Sequence, residues 1–148
     1  HLEIKQKIYS LLDSGHVAER FEKMVSALGG PKHFLSTYKE VLPRADSAVP
    51  IKAKKEGFIS QINTKALGDI LVKMGGGRQK ASDKLDLSVG FTKVLKSGEE
   101  VNKKTSLLFL HGADKSLTAS LEKEINDCFS ISESGPAQLR NPIVQKVV

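Results

Sequence analysis

The sequence predicts an α+β (α/β) fold, with helices in residues 1–45 followed by a sheet-rich domain with two helices in residues 46–148. Two patterns carry this expectation. Apolar residues recur at helical spacing as far as Leu28, and beyond Pro50 the period shortens to that of strands burying one face. The third observation is size: 148 residues, 39% hydrophobic and 27% charged, suffice for one substantial core, as a single domain or a domain with an attached subdomain.

Ile4, Ile8, Leu11 and Leu12 share one helical face, and Ser14-Gly15 supplies a stop. Val17, Phe21, Met24, Val25 and Leu28 form the stripe of a second helix and are assigned to the core, while Glu19, Arg20, Glu22 and Lys23 face water. Gly29-Gly30-Pro31 ends it, because glycine accepts the left-handed cap and proline cannot extend the ladder. Turn formers between Pro43 and Pro50 mark the boundary between the two parts. Val49, Ile51 and Ala53 then share one face of a strand with Lys52 and Lys54 opposite, and Glu56-Gly57 turns the chain into a second strand over 58–62.

Asn63-Thr64 caps a helix that buries Ala66, Leu67, Ile70, Leu71 and Met74 and exposes Lys65, Asp69 and Lys73, spaced so that opposite charges adjoin. Gly68 inside this helix costs about 1 kcal/mol relative to alanine, so a close backbone contact is expected there. Leu85, Leu87, Val89 and Phe91 alternate with Asp86, Ser88, Gly90 and Thr92 as a half-buried strand. Residues 94–101 turn through Gly98 into a strand over 106–111. A last helix, capped by Asp114 or Ser116, carries Leu117, Leu121, Ile125 and Cys128 on its stripe and returns as a strand at Phe129-Ser130-Ile131. The tail after Gly135-Pro136 is extended, since Arg140-Asn141-Pro142 resists a helix.

Composition excludes several function classes. The net charge of +6 comes from scattered lysines, densest at Lys52, Lys54 and Lys55 and at Lys103-Lys104. Aromatic residues make up only 5%, with no Trp, so the interleaved stacking platform of a nucleic-acid binder is missing and the basic surface serves at most to attract anions. The longest apolar runs, such as Leu107-Leu108-Phe109-Leu110, are too short for a membrane span or a secretory signal. Cys128 stands alone, so no internal disulfide forms and a cytoplasmic location is expected. A start at His1-Leu2 suggests a processed or excised piece.

Gly75-Gly76-Gly77-Arg78 is the candidate phosphate-binding loop: amides without side chains beside a guanidinium suit an anion. It follows a helix instead of opening one, and matches neither dinucleotide nor P-loop spacing, which favours a helix cap with a tight turn. His1, His16, His33 and His111 show no metal-ligand spacing; His111 stands out only because it ends a strand before a glycine. Asp83 and Asp86 read as turn and strand-face residues. There is no nucleophile elbow, no zinc-protease motif and no Cys/His pair, so the residues by themselves assign no catalytic group, no metal and no cofactor.

Two blocks resemble one enzyme family. They are Ala18-Glu19-Arg20-Phe21-Glu22-Lys23-Met24-Val25-Ser26-Ala27-Leu28-Gly29-Gly30-Pro31 and Thr64-Lys65-Ala66-Leu67-Gly68-Asp69-Ile70-Leu71-Val72-Lys73-Met74-Gly75-Gly76-Gly77-Arg78 with Asp83, Asp86 and Val89-Gly90. Leu42-Pro43, Gly57-Phe58-Ile59 and Gly98-Glu99-Glu100-Val101 add to them. The chain is similar to the C-terminal part of the thymidine (pyrimidine-nucleoside) phosphorylases, from about Ile4 to Ile131. The resemblance implies a cofactor-independent pentosyltransferase of nucleoside salvage, a homodimer in which pyrimidine nucleoside and inorganic phosphate give free base and (deoxy)ribose 1-phosphate. It implies that residues 1–45 belong to the larger α/β domain and residues 46–148 form a hammerhead-like, mixed-sheet region. The phosphate- and base-binding residues of that family precede the part matched, so the missing N-terminal part is the implied partner and this piece alone is inactive. Asn63 departs from the Asp more usual there, and caps nearly as well.

The competing class is a biotinyl or lipoyl carrier. Val94, Gly98-Glu99-Glu100-Val101, Lys104 and Leu107 resemble half of a barrel-sandwich module, with Lys84 in Asp83-Lys84-Leu85 as the only candidate for modification. No second half lies on its other side.

Overall fold

A computed structural model describes residues 2–112 and 115–135. The anticipated caps at Asp114 and at the Ser116 side chain, and the tail containing Arg140-Asn141-Pro142, lie outside the described residues. The chain divides into two compact units, His1–Pro43 and Arg44–Val148.

The first unit contains α1 (Leu2–Asp13), α2 (His16–Ala27) and α3 (Phe34–Val41). The two periodic stripes produce α1 and α2. The eight residues of α3 give barely two turns, too short a pattern to have been recognised in the sequence. It is tied to α2 by the Leu35 backbone N–H, which donates to Glu22 Oε1 at 2.9 Å, and by the Phe21 and Phe34 rings, 6.0 Å between centroids. Phe21 and Met24 were assigned to a core, yet they are 39% and 50% exposed, and no residue of the three helices is buried. Three short helices offer too little counter-surface to enclose their own stripes.

The second unit contains β1 (Ala48–Lys52), β2 (Gly57–Ile62), α4 (Thr64–Leu71), β3 (Gly90–Thr92), β4 (Glu100–Val101), β5 (Ser106–His111), α5 (Lys115–Asp127) and β6 (Phe129–Ser132). The α+β class stands. In place of a mixed sheet, the described strands form two three-stranded sheets, ordered β1-β5-β3 and β4-β2-β6, with every pairing antiparallel. No two paired strands are consecutive in the chain, so the antiparallel neighbours are brought together by long connections that carry α4, the glycine loop and α5. Ile51, Ile59, Leu107, Leu108, Leu110 and Ile125 are almost wholly buried, so both sheets and α5 share one core, which Leu67 and Ile70 of α4 complete. Consecutive strand residues point to opposite faces, so the joint burial of Leu107 and Leu108 means that β5 is covered on both sides there. Gly57 permits the β2–β6 approach: its φ is 136°, and a Cβ there would run into the Ser132 carbonyl.

Asn63 caps α4 as anticipated, its side chain accepting the Ala66 N–H at 3.0 Å. Lys65 pairs with Asp69 at 2.8 Å on the exposed face, whereas Lys73 leaves that stripe to meet Glu124 of α5 at 2.7 Å. The close contact expected at Gly68 is absent: a Cβ built there meets nothing within 4 Å. Its face of α4 is open, so the glycine carries its entropic cost without a packing gain. The half-buried strand expected over 85–92 shrinks to β3, because Leu85 and Leu87 are 41% and 70% exposed in an irregular connection. Asp86 competes with the ladder there, accepting the Ser88 N–H at 2.9 Å and fixing a turn.

Because the Gly68 position is open, Gly68→Ala should stabilise the chain by about 0.5–1 kcal/mol, read as a higher urea midpoint with unaltered slope. A lower midpoint would show that something covers this face. Asn63→Ala should cost about 1 kcal/mol in the same experiment, since the Ala66 N–H then loses its cap; an unchanged midpoint would contradict that role.

Candidate functional site

The candidate loop starts where α4 runs into one wider, π-type turn, Val72–Gly76. Gly75 inside that turn takes a left-handed φ of 94°, which unwinds the helix and leaves Gly77 extended. The glycine run is therefore a helix terminator, as its position after a helix implies. The Gly75 carbonyl accepts the Asp86 backbone N–H at 2.9 Å, so the segment between them closes on itself as an Ω-like loop. Gly76 seats the closure: a Cβ there would lie 2.7 Å from Leu71 Cδ1 and 3.0 Å from Val89 Cγ2.

Inside the loop the chain's own carboxylates take the free amides. Asp83 Oδ2 accepts the N–H groups of Gln79 at 3.0 Å and Lys80 at 2.8 Å. Asp86 Oδ1 accepts the Ser88 hydroxyl at 2.6 Å and its N–H at 2.9 Å. The Ser88 hydroxyl first, and its amide second, hold the Asp86 carboxyl below its usual range. Both aspartates are thus committed to local backbone. Asp86 is a turn residue, not the strand-face residue the alternation implied. Arg78 is exposed, and no ion pair or hydrogen bond ties its side chain to the described residues. The loop leaves the C-terminal end of α4, where exposed carbonyls favour cations over anions.

The histidines are engaged locally. His111, at the end of β5, places Nε2 2.7 Å from Thr92 Oγ1 of β3, next to the register pair Gly90–His111. His16 Nδ1 lies 2.6 Å from Ser14 Oγ, and the His33 carbonyl accepts from Thr37 Oγ1 at 2.8 Å at the start of α3. His1 lies outside the described residues. Among the described residues no group of three or more His, Cys, Asp or Glu is placed to hold a metal ion. Lys84 sits in the irregular run between α4 and β3, not at the tip of a hairpin where a carrier presents its modified lysine.

Two clefts open on the described surface of this unit. One of about 390 Å³ sets Lys54 and Lys55 opposite Asp127 and β6. The other, about 310 Å³, runs between α4 and α5, bridged by the Lys73–Glu124 ion pair with Cys128 at its base. The Lys73–Glu124 pairing escaped sequence reasoning, since the partners are 51 residues apart and Asp69 offered a nearer acid. Neither cleft joins a nucleophile to a base.

Cys128 is 5% exposed, and its thiol donates to the Glu124 carbonyl at 3.2 Å. Burial, followed by the negative charges of Asp127 and Glu124, pushes the thiol's pKa up. The group therefore stays neutral and unreactive at neutral pH, and its contribution to stability is present below the unfolded thiol's pKa and lost as pH rises through the raised folded value. Ellman's reagent should modify Cys128 at least about tenfold more slowly in the folded chain than in urea. Equal rates would contradict the buried, protonated thiol.

The segment from β2 to β6 matches a known family. Residues 58–132 match the family described as the pyrimidine nucleoside phosphorylase C-terminal domain. The match runs from Phe58 in β2 to Ser132 at the end of β6, and thus takes in α4, the glycine loop, β5 and α5. It spans just over half of the 148 residues and takes in the block from Thr64 to Arg78 and the Gly98-Glu99-Glu100-Val101 segment, while the block from Ala18 to Pro31 lies outside it. The chain belongs to the pyrimidine nucleoside phosphorylase C-terminal domain family.

Proposed function

We propose that this chain is the C-terminal structural part of a thymidine-type pyrimidine-nucleoside phosphorylase. In the reaction phosphate oxygen attacks the anomeric carbon, the C1′–N bond breaks, and the base departs with its electron pair and gains a proton. The products are the free base and (deoxy)ribose 1-phosphate. The family match over residues 58–132 is the observation that carries this reading. The described residues contribute support: two sheets on one core, with the carboxylates of the glycine loop and the thiol of Cys128 already committed to backbone partners. The groups that clamp phosphate and hold the base come from the preceding N-terminal part of the same enzyme.

In this reading the helices of residues 1–45 belong to the parent's larger α/β domain. The exposed stripe of Ile4, Ile8 and Leu12 supports that, because such a face is stable only when another apolar surface covers it. The complete enzyme works as a cytoplasmic homodimer in nucleoside salvage, and neither nucleic acid nor a membrane enters.

Preorganised anion and leaving-group contacts carry most of the rate of such a transfer, so a chain without them is silent. The purified chain should release no thymine or uracil from thymidine or uridine in phosphate buffer, whereas co-expression with the preceding part of its parent should restore release. Saturable, phosphate-dependent turnover by the chain alone would overturn the assignment. Mass spectrometry of the native protein should show Lys84 unmodified; biotin or lipoate on it would favour the carrier.

A further inference from the structure

We propose that Asp83 is a built-in anion: its carboxylate fills a two-amide nest in the glycine loop and holds closed a site that accepts an inorganic oxyanion such as phosphate once Asp83 is displaced. The N–H groups of Gln79 and Lys80 converge on the single oxygen Oδ2, at 3.0 and 2.8 Å, as successive amides do around a bound phosphate oxygen. The Asp83 N–H donates back to the Lys80 carbonyl at 3.1 Å, so the carboxylate is delivered by a tight turn and not by a long flexible arm.

Beyond the carbonyls that end α4, the neighbouring side chains favour an anion. Arg78 and Lys80 adjoin the nest in sequence, both exposed, and neither makes an ion pair among the described residues. Two cations beside two amides suit the double charge of phosphate better than the single charge of a carboxylate. Gly76 and Gly77 present no side chain on the approach. The closure between the Gly75 carbonyl and the Asp86 N–H keeps the loop in shape whatever fills the nest.

What keeps phosphate out is tethering. A carboxylate three or four residues from its own donors competes at an effective concentration of about millimolar or above, so free phosphate at ordinary concentration loses. The glycine loop is thus a shut oxyanion site, with Asp83 as an internal plug.

The test is the whole chain labelled with nitrogen-15 and titrated with inorganic phosphate at constant ionic strength and pH, with chloride as the control salt. In the wild type the Gln79 and Lys80 amide resonances should be insensitive to phosphate. In D83A they should shift saturably, with phosphate binding at least about tenfold tighter than in the wild type, and R78A/D83A should lose most of that gain. D83N keeps a side-chain carbonyl that can accept the same amides and should remain closed. D83S, whose hydroxyl is too short to reach, provides a second open form if D83A folds poorly. Saturable shifts of Gln79 and Lys80 in the wild type would show that Asp83 is no plug. Folded D83A or D83S with phosphate-insensitive amides would show that the nest takes no external anion. Either result overturns the proposal.

Discussion

Burial of β5 on both faces is the constraint around which Arg44–Val148 is arranged. Leu107, Leu108 and Leu110 are all at 0% exposure, and each leucine so removed from water contributes about 1.5–3 kcal/mol. A strand apolar on both sides must be covered twice, which requires neighbours in its own sheet and further elements above and below. β1 and β3 supply the first, and the shared core with Ile59, Leu67, Ile70, Leu121 and Ile125 supplies the second. β3 has only three residues, and no two- or three-residue strand is stable alone. Its place is set by pairing with β5 and fastened by the hydrogen bond between Thr92 and His111.

That arrangement fixes what the loop between α4 and β3 can be. Val89 packs partly into the core and against the position of Gly76, so both ends of the loop are anchored while its middle faces water. Such a segment must satisfy its own backbone, and it does so with Asp83 and Asp86. Residues that on paper offered acid/base or anion chemistry are therefore spent on holding a turn. The same logic covers Cys128, whose thiol is consumed by packing and a helix carbonyl. These commitments to packing and backbone lie within residues 58–132, the segment that matches the pyrimidine nucleoside phosphorylase C-terminal domain.

Much of this fold was legible in the residues because local signals and the core agreed. The Asn63 cap, the alternation of Val49, Ile51 and Ala53, and the stripe of Leu121, Ile125 and Cys128 each match an element with the anticipated side buried. Reading failed where a local hydrogen bond or a missing neighbour outweighed periodicity. Leu85 and Leu87 keep a perfect alternation, yet the Asp86–Ser88 turn leaves them in water. The stripe of Phe21 and Met24 is helical as read but uncovered, since burial depends on a surface that periodicity cannot supply. At the candidate loop, the terminator role of Gly75 was readable from its place after a helix. The grip of Asp83 on Gln79 and Lys80 was not, because it follows from the loop's path and not from the spacing of its residues. Gly68 misled for the opposite reason: a glycine in a helix implies a close neighbour, and its face is open.

Arg44–Val148 is held together by its own β5-centred core. Urea unfolding of residues 44–148 alone, followed by far-ultraviolet circular dichroism and by the exposure of Cys128 to a thiol reagent, tests it most directly. One cooperative transition with the same midpoint by both probes is expected. A gradual loss of signal, or a thiol exposed well before the secondary structure melts, would contradict it.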